Sequence, residues 1–209
     1  MNKLLLSKQL FLFIMMLLNS TFVICADMDA KQQLKVKLAL LATYQANFTQ
    51  TVVDIENTIL QQATGRLVLQ QPNNLYWELF EPNENVLLAD GTNIWNIDPF
   101  LEQVVVYGAN AALENNPLIL LTNPDSTKWQ EFDVSQADNQ FIITPRELNG
   151  GIESLRLVFK GDTLVELESQ DGQQQKSLLS FNNIKQNNAL PADTFIFVMP
   201  DGYELDDQR

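Results

Sequence analysis

The spacing of apolar residues divides the chain into one helix followed by many short strands. Leucines recur at spacings of four and three residues from Leu34 to Leu41, which predicts an amphipathic helix over residues 27–44. Asp29 precedes this stripe and Gln32 lies three residues later, as in a capping box at a helix N-terminus. A helix with one apolar stripe needs a packing partner, and we expect that partner to be a sheet.

From Asn47 onward, apolar residues alternate with polar ones, which is the period of a half-buried strand. Turn signals rich in Pro, Gly, Asn and Asp separate the alternating segments. Many short strands joined by tight turns predict a mainly β fold, in which an antiparallel sheet curls into a barrel or half-barrel. The predicted strands are 46–57, 64–71, 74–80, 85–90, 93–98, 102–107, 129–135, 139–145, 152–160, 163–170, 174–185 and 194–199.

One apolar segment interrupts the strands between residues 108 and 123. Asn116-Pro117 supplies an N-cap and a first-turn residue typical of a helix start, and Asn123-Pro124 ends the helix. The aliphatic run from Leu118 to Leu121 makes this short helix apolar on every side. It must therefore be covered on more than one face.

The first 26 residues have the pattern of a secretory signal peptide. Two lysines precede an unbroken apolar run from Leu10 to Leu18, and Ala26 is a small residue at a suitable cleavage point. The run is shorter than the roughly 20 residues that span a bilayer. We predict a cleaved signal peptide at 1–26 and a single domain at 27–209, with an uncleaved membrane anchor as the alternative.

Cys25 is the one cysteine of the chain, and a cysteine at the end of a signal peptide can be a lipidation site. A bacterial lipobox needs a small residue before the cysteine, whereas Ile24 is bulky and β-branched. We therefore interpret Cys25 as part of the signal and keep a lipid anchor as the alternative. Cleavage after Ala26 leaves no thiol to mispair, which suits the oxidising periplasm.

The composition excludes several kinds of chemistry. The chain has no histidine and one cysteine, so it has no Ser-His-Asp triad, no Cys-His pair and no imidazole or cysteine-based zinc site. Its formal net charge of −13 repels nucleic acid and anionic lipid surfaces. Glu78, Glu81, Glu84 and Asp98 could resemble a glycosidase pair, but Glu78 lies opposite the face of Trp77, which favours a solvated surface. We expect no catalytic residue, cofactor, metal or nucleic-acid partner.

An ordered series of motifs resembles one known family. The motifs are Asn47-Phe48-Thr49-Gln50, Gly65-Arg66-Leu67, Gln71-Pro72-Asn73 before Trp77, Asp90-Gly91-Thr92-Asn93-Ile94-Trp95, Asp98-Pro99-Phe100-Leu101-Glu102-Gln103 and Asp206-Asp207-Gln208-Arg209. In this order they are similar to the periplasmic outer-membrane lipoprotein carriers of the LolA family, over essentially the whole chain after residue 26. The resemblance implies an incomplete antiparallel β-barrel with an N-terminal helix and a helical lid over an apolar cavity.

The resemblance also implies a function and its partners. Such a carrier takes up the acyl chains of lipoproteins released from an inner-membrane ABC transporter and delivers them to an outer-membrane receptor. We therefore expect a monomeric periplasmic carrier. Two alternatives remain, which are a lipid-anchored outer-membrane receptor of the same fold and a periplasmic binding protein for small apolar ligands.

Apolar residues of one strand parity are the candidates for the cavity. The predicted cavity residues are Leu67, Leu69, Leu75, Trp77, Leu79 and Ile94, and the predicted lid residues are Leu113, Leu118, Ile119 and Leu121. The residues alone favour an ordinary filled core, as small barrels often have, whereas the resemblance favours a cavity.

Gln71 is a departure from the family pattern. Members commonly have an arginine at this position that hydrogen-bonds the lid closed. Gln71 shares the strand parity of Leu67 and Leu69, so we expect its amide to face inward and to be a weaker, uncharged lid latch. Arg66 has the opposite parity and should point outward.

The charge is unevenly distributed along the chain. No Lys or Arg occurs between Leu67 and Thr127, whereas this stretch holds eight acids. They are Glu78, Glu81, Glu84, Asp90, Asp98, Glu102, Glu114 and Asp125. They form either a solvated surface or an acidic rim that attracts basic surfaces on protein partners.

Overall fold

The computed structural model describes residues 28–108, 117–147 and 151–209. These residues form one α-helix, two 3-10 helices at Pro117–Thr122 and Thr127–Glu131, and twelve strands. The helix is α1 (Ala30–Ala39), and the strands are β1 (Thr43–Val53), β2 (Ile59–Gln70), β3 (Asn74–Leu79), β4 (Asn85–Asp90), β5 (Asn93–Asp98), β6 (Gln103–Gly108), β7 (Phe132–Ala137), β8 (Gln140–Pro145), β9 (Ile152–Lys160), β10 (Thr163–Asp171), β11 (Lys176–Gln186) and β12 (Glu204–Asp207). No helix in these ranges is long and apolar enough to cross a lipid bilayer.

All twelve strands belong to one sheet with the order β12-β6-β5-β4-β3-β2-β1-β11-β10-β9-β8-β7. Neighbouring strands run antiparallel, except that β12 runs parallel to β6. Within the described ranges, no hydrogen-bonded pairing joins the end strands β7 and β12. The structure therefore confirms a mainly β fold with an unclosed, largely antiparallel barrel.

The predicted N-terminal helix begins as expected and ends earlier than predicted. Asp29 caps it, because its carboxylate accepts a hydrogen bond from the backbone N–H of Gln32 at 2.8 Å. The helix ends at Ala39 rather than at residue 44. Thr43 instead begins β1, where a β-branched residue suits a strand that pairs with β2.

The strand predicted at 194–199 is wrong. This segment is irregular, and Phe197 stacks on Trp95 of β5 with ring centroids 3.9 Å apart. The segment is an unbroken apolar run after Thr194, part of which covers the outside of the sheet, and no hydrogen-bonded ladder is present there. The last strand is β12, which lies closer to the C-terminus and adds to the edge of β6.

Helix α1 covers one end of the concave face of the sheet. Leu34 and Leu38 are fully buried there. Lys37 donates to the turn between β9 and β10, and Lys31 donates to the backbone carbonyl of Trp129 at 3.1 Å. The helix is therefore held across the barrel by side chains as well as by its apolar stripe.

The sheet has apolar side chains on both faces. The larger cluster lies on the concave face and includes residues from α1, both 3-10 helices and most strands. A smaller group lies on the convex face, where Leu88, Val104 and Val106 are buried on the same side as Trp95. Phe197 stacks on this convex group, so this part of the C-terminal segment packs on the outside of the sheet.

Candidate functional site

The six residues predicted to line an apolar cavity all lie on the concave face. Strand pairing places Leu67 opposite Trp77 and Leu69 opposite Leu75. The six pack in or against one hydrophobic cluster. Four of them are buried, with at most 4% of their surface exposed, whereas Trp77 and Leu79 are half-buried. The structure brings the set Leu67, Leu69, Leu75, Trp77, Leu79 and Ile94 together, and ligand binding by it stays a prediction.

Phe48 is a member of this cluster that sequence reasoning missed. Its ring centroid lies 4.4 Å from that of Trp77, and the side chain is buried. The ring lies against Gly65, where an added Cβ would overlap with it and with the backbone carbonyl of Glu78. Gly65 therefore provides the space in which the two aromatic rings pack. The apolar alternation within β1 was the signal that could have identified Phe48.

The predicted lid is the 3-10 helix Pro117–Thr122, which packs onto the concave cluster. Leu118 and Leu121 are buried, and so is Leu120, which the sequence did not single out. The short apolar helix is therefore covered on more than one face, as its composition required. Two of the predicted lid groups, Leu113 and the side chain of Ile119, lie outside the described residues.

The turn between β2 and β3 contacts the predicted lid through Asn73. The backbone N–H of Asn73 donates to the carbonyl of Thr122 at 3.3 Å, and Asn123 Nδ2 donates to Asn73 Oδ1 at 2.9 Å. Trp129 is buried nearby, and its indole N–H donates to the carbonyl of Asn123 at 3.0 Å. Sequence reasoning identified the correct turn but considered Gln71 rather than Asn73.

Gln71 contacts a different element. Its Nε2 donates to the carbonyl of Leu38, near the C-terminus of α1, at 2.7 Å. Since α1 also covers the concave face, Gln71 is placed to hold α1 rather than the 3-10 helix. That it acts as a latch stays a prediction. Arg66 points outward, where its Nε lies 2.9 Å from Glu78 Oε2. Burial opposes its charged form, but the bond to Tyr76 and the charge of Glu78 raise the pKa of Arg66.

Three acids considered for glycosidase chemistry line an open cleft between two turns. The cleft has a volume of about 500 Å³ and is lined by Glu81, Pro82, Asn83, Glu84, Asp98, Pro99 and Phe100. Asp98 Oδ1 accepts hydrogen bonds from the backbone N–H groups of Phe100 and Leu101, which shapes the turn and leaves Phe100 92% exposed. In the described part of the chain, no group of three or more acidic or cysteine side chains could hold a metal ion.

Two further motifs stabilise the convex face. Asp90 accepts hydrogen bonds from two backbone N–H groups of the following turn at 2.8 Å and from the indole N–H of Trp95 at 2.9 Å. Burial disfavours the charged carboxylate, but these bonds outweigh it and lower the pKa of Asp90. Arg209 bonds both carboxylate oxygens of Asp207 and lies 5.9 Å from the Trp95 ring. Its hydrogen bonds lower the pKa of Asp207 to about 2.

Comparison with known proteins relates the whole arrangement to one family. A family model described as "Outer membrane lipoprotein carrier protein LolA" matches residues 39–198. The chain is 36% identical over 180 residues to the outer-membrane lipoprotein carrier protein of Shewanella halifaxensis (strain HAW-EB4), a match that covers 86% of each chain. It is 36% identical over 182 residues to the protein of the same name from Aeromonas salmonicida (strain A449), with 87% of this chain and 90% of the relative covered.

A solved structure supports the fold independently. The crystal structure of an uncharacterized conserved protein from Thermus thermophilus matches with a TM-score of 0.51 at 13% identity. The match covers 85% of this chain and 98% of that one. At this identity the likeness concerns the fold alone.

Proposed function

Since the chain belongs to the outer membrane lipoprotein carrier protein family, LolA, we propose that it binds the acyl chains of lipoproteins on its concave face and carries them across the periplasm. The observation that supports this most directly is the apolar cluster that lines the concave face of an unclosed sheet. Helical elements, and not further strands, cover this lining. A cargo could therefore replace them without breaking the sheet.

Side-chain hydrogen bonds hold both covers in place. Lys31, Lys37 and Gln71 bond α1 to its surroundings, and Asn73 bonds the end of the 3-10 helix and Asn123 after it. A typical neutral hydrogen bond contributes only about 0.5–1.5 kcal/mol net. The leucines of the covers pack beside these bonds, and an acyl chain can take their place.

The energy of lipid burial explains why a carrier needs removable covers. A buried methylene contributes about 0.8 kcal/mol, so one acyl chain of about 15 carbons gains roughly 12 kcal/mol. A preformed empty cavity with that affinity would not release its cargo. Displacing the leucines of α1 and of the lid from the concave cluster offsets part of this gain, so the carrier can pass the lipid on.

The same proposal includes the partners and the location. Loading from the membrane requires an energy source, which the inner-membrane ABC transporter supplies, and delivery runs downhill to an outer-membrane receptor. Residues 1–26 are proposed as a cleaved signal peptide and residues 27–209 as one carrier domain. An intact mass beginning at Asp27 would support this, whereas an acylated Cys25 at the N-terminus would favour the lipid-anchored receptor.

A lipoprotein-release assay tests the proposal. The purified mature chain, added to spheroplasts that synthesise a lipoprotein, should release it into the supernatant as a complex that co-purifies with the chain. Leu87 and Val86 are adjacent, half-buried residues on opposite faces of β4. Leu87→Gln on the concave face should reduce release several-fold, and Val86→Gln on the convex face should leave it unchanged. Binding of free fatty acids without any lipoprotein release would support the small-ligand alternative instead.

A further inference from the structure

Gln50 places a polar group among apolar residues of the concave face. It follows Phe48 by two residues on β1, so both side chains point inward, and it lies opposite Leu179 of β11 and Ala63 of β2. Both of these neighbours are buried. The amide therefore lies at the edge of the hydrophobic cluster.

Only one half of this amide is hydrogen-bonded. Gln50 Nε2 donates to Ser177 Oγ at 2.7 Å. Gln50 Oε1 is buried, and in the part of the chain that the structure describes it has no hydrogen-bond partner. Ser169 of β10 lies opposite Ser177 in the register, two residues along from the level of Gln50, so three adjacent strands bring polar side chains close together on the concave face.

An unpaired buried acceptor lowers stability, and the large majority of buried polar atoms in folded proteins have a hydrogen-bond partner. The start of β1 pairs with the end of β2, and the turn after β2 bonds α1. Gln50 lies toward the other end of β1, which is remote from α1. Acyl chains that replace the leucines of α1 would occupy the apolar layers beside Phe48. The first polar group of the same lipid would then reach the level of Gln50.

The chemistry of Gln50 Oε1 decides which polar group of a lipid can pair with it. Gln50 Oε1 is an acceptor and needs an N–H or O–H donor. The ester links of a diacylglyceryl group have no such hydrogen, whereas the amide that attaches an acyl chain to an N-terminal residue has one N–H. We propose that Gln50 Oε1 accepts a hydrogen bond from this N-acyl amide of the cargo, an inference that rests on the proposed lipoprotein-carrier function.

Two synthetic lipopeptides test the inference directly. Both have the same diacylglyceryl-cysteine peptide and N-palmitoyl chain, and one is methylated at the N-acyl amide so that the N–H is absent. Binding is measured by displacement of a fluorescent acyl probe from the mature protein. The wild-type protein should bind the N–H lipopeptide about two- to tenfold more tightly, which is the range that a neutral hydrogen bond supplies.

Substitutions on one strand separate this hydrogen bond from other effects of methylation. Gln50→Met keeps the length of the side chain and removes the acceptor, so the ratio of the two affinities should fall to about one. Gln45→Met is the matched control, because Gln45 lies on the opposite face of β1, beside Val68. It should keep the wild-type ratio. Gln50→Leu provides a second test if Gln50→Met does not fold.

The outcomes distinguish the inference from the function on which it rests. Equal wild-type affinities for the two lipopeptides would overturn the inference and leave the carrier function intact, with ordered water as the partner of Gln50. A Gln50→Met variant that keeps the preference would overturn it as well. If neither lipopeptide displaces the probe, the carrier function itself is contradicted.

Discussion

The hydrogen bond between Gln71 and helix α1 leads to a prediction for a single residue. Gln71→Arg places a charged donor beside the carbonyl of Leu38, where the C-terminus of the helix favours a cation. Charge-assisted bonds contribute about 1.5–3 kcal/mol, against about 0.5–1.5 for neutral ones. A latch stronger by about 1.4 kcal/mol lowers the open population tenfold. Lipoprotein loading should weaken, transfer to the receptor should improve, and the melting temperature should be unchanged or higher.

The control for this variant is the neighbouring residue on the other face. Gln70→Arg places the same charge on β2 at a position of opposite parity. It should change neither loading nor transfer. If Gln71→Arg only lowers the melting temperature, the arginine lacks partners and position 71 is a packing contact and not a latch.

Asp90 leads to a prediction about pH. Its pKa is lowered in the folded state, so its contribution to stability is complete above the pKa of the unfolded chain and is lost as the pH falls through the lowered folded value. Asp90→Asn weakens charge-assisted bonds to two backbone N–H groups and to Trp95. We expect it to lower the free energy of unfolding by about 1–2 kcal/mol at pH 7.

Urea unfolding at several pH values tests the direction of this pH dependence of stability. The difference between wild type and Asp90→Asn should shrink as the pH falls from about 4, where Asp90 of the unfolded chain takes up a proton, toward the lower pKa of the folded carboxylate. Asp138→Asn, at the exposed turn between β7 and β8, serves as a control. A difference that stays constant down to pH 2 would mean that the charge of Asp90 does not contribute.

Strand parity explains how much of the site was predictable residue by residue. Leu67, Trp77 and Ile94 lie on the expected face because side chains alternate along a strand whatever the tertiary context. The partner of Gln71 was not predictable, because that contact joins two elements whose relative position depends on the closure of the whole sheet. Asn73 was missed for the same reason, since its bonds to the lid cross a long distance in sequence.

At the scale of elements, the 3-10 helix Pro117–Thr122, which we propose as the lid, is where function and stability can be separated. Leu121 is a buried residue of this helix and belongs to no strand. Leu121→Glu cannot bury its charge against acyl chains or against the concave cluster without a large penalty. The sheet should still fold, as circular dichroism would show, while the chain should accept no lipoprotein from spheroplasts. Leu118→Glu should behave in the same way.

Ile142→Glu is the matched control for the lid variants. Ile142 lies on the outward face of β8 and is 37% exposed, so its replacement adds the same charge away from the concave face. It should accept lipoproteins at the wild-type rate. Normal acceptance by Leu121→Glu would show that this segment is not the lid.

Elements with strong local signals were the ones that the sequence predicted well. Turn residues and alternation located eleven strands, including every hairpin from β2 to β6. The prediction of a strand at 194–199 failed because an apolar run rich in aromatic and β-branched residues indicates burial, and stacking on Trp95 buries side chains as a strand would. β12 is short and polar, and it depends on the exposed edge of β6, which no local pattern reveals.

At the scale of the whole molecule, the uneven charge leads to the last prediction. Among the acids of the stretch without Lys or Arg, Glu78 is paired with Arg66, and Asp90 is bonded within the convex face. Glu81 and Glu84 instead line the open cleft beside the exposed Phe100. If these acids steer docking to a basic receptor, the association rate should fall as the ionic strength rises past about 0.1 M, where the screening length is about 10 Å.

A variant with neutral side chains in the cleft tests whether its acids cause the salt dependence of the association rate. Glu81→Gln with Glu84→Gln should lower the association rate at low salt and flatten its salt dependence, while the dissociation rate changes little, because steering acts on encounter rather than on the bound complex. Glu153→Gln with Glu166→Gln removes the same charge from β9 and β10, which lie in the other half of the strand order, and serves as the control. Stopped-flow measurements between about 0.02 and 0.5 M salt span the range of screening lengths that matters. A wild-type association rate that is independent of salt would leave these acids with a role in solubility alone.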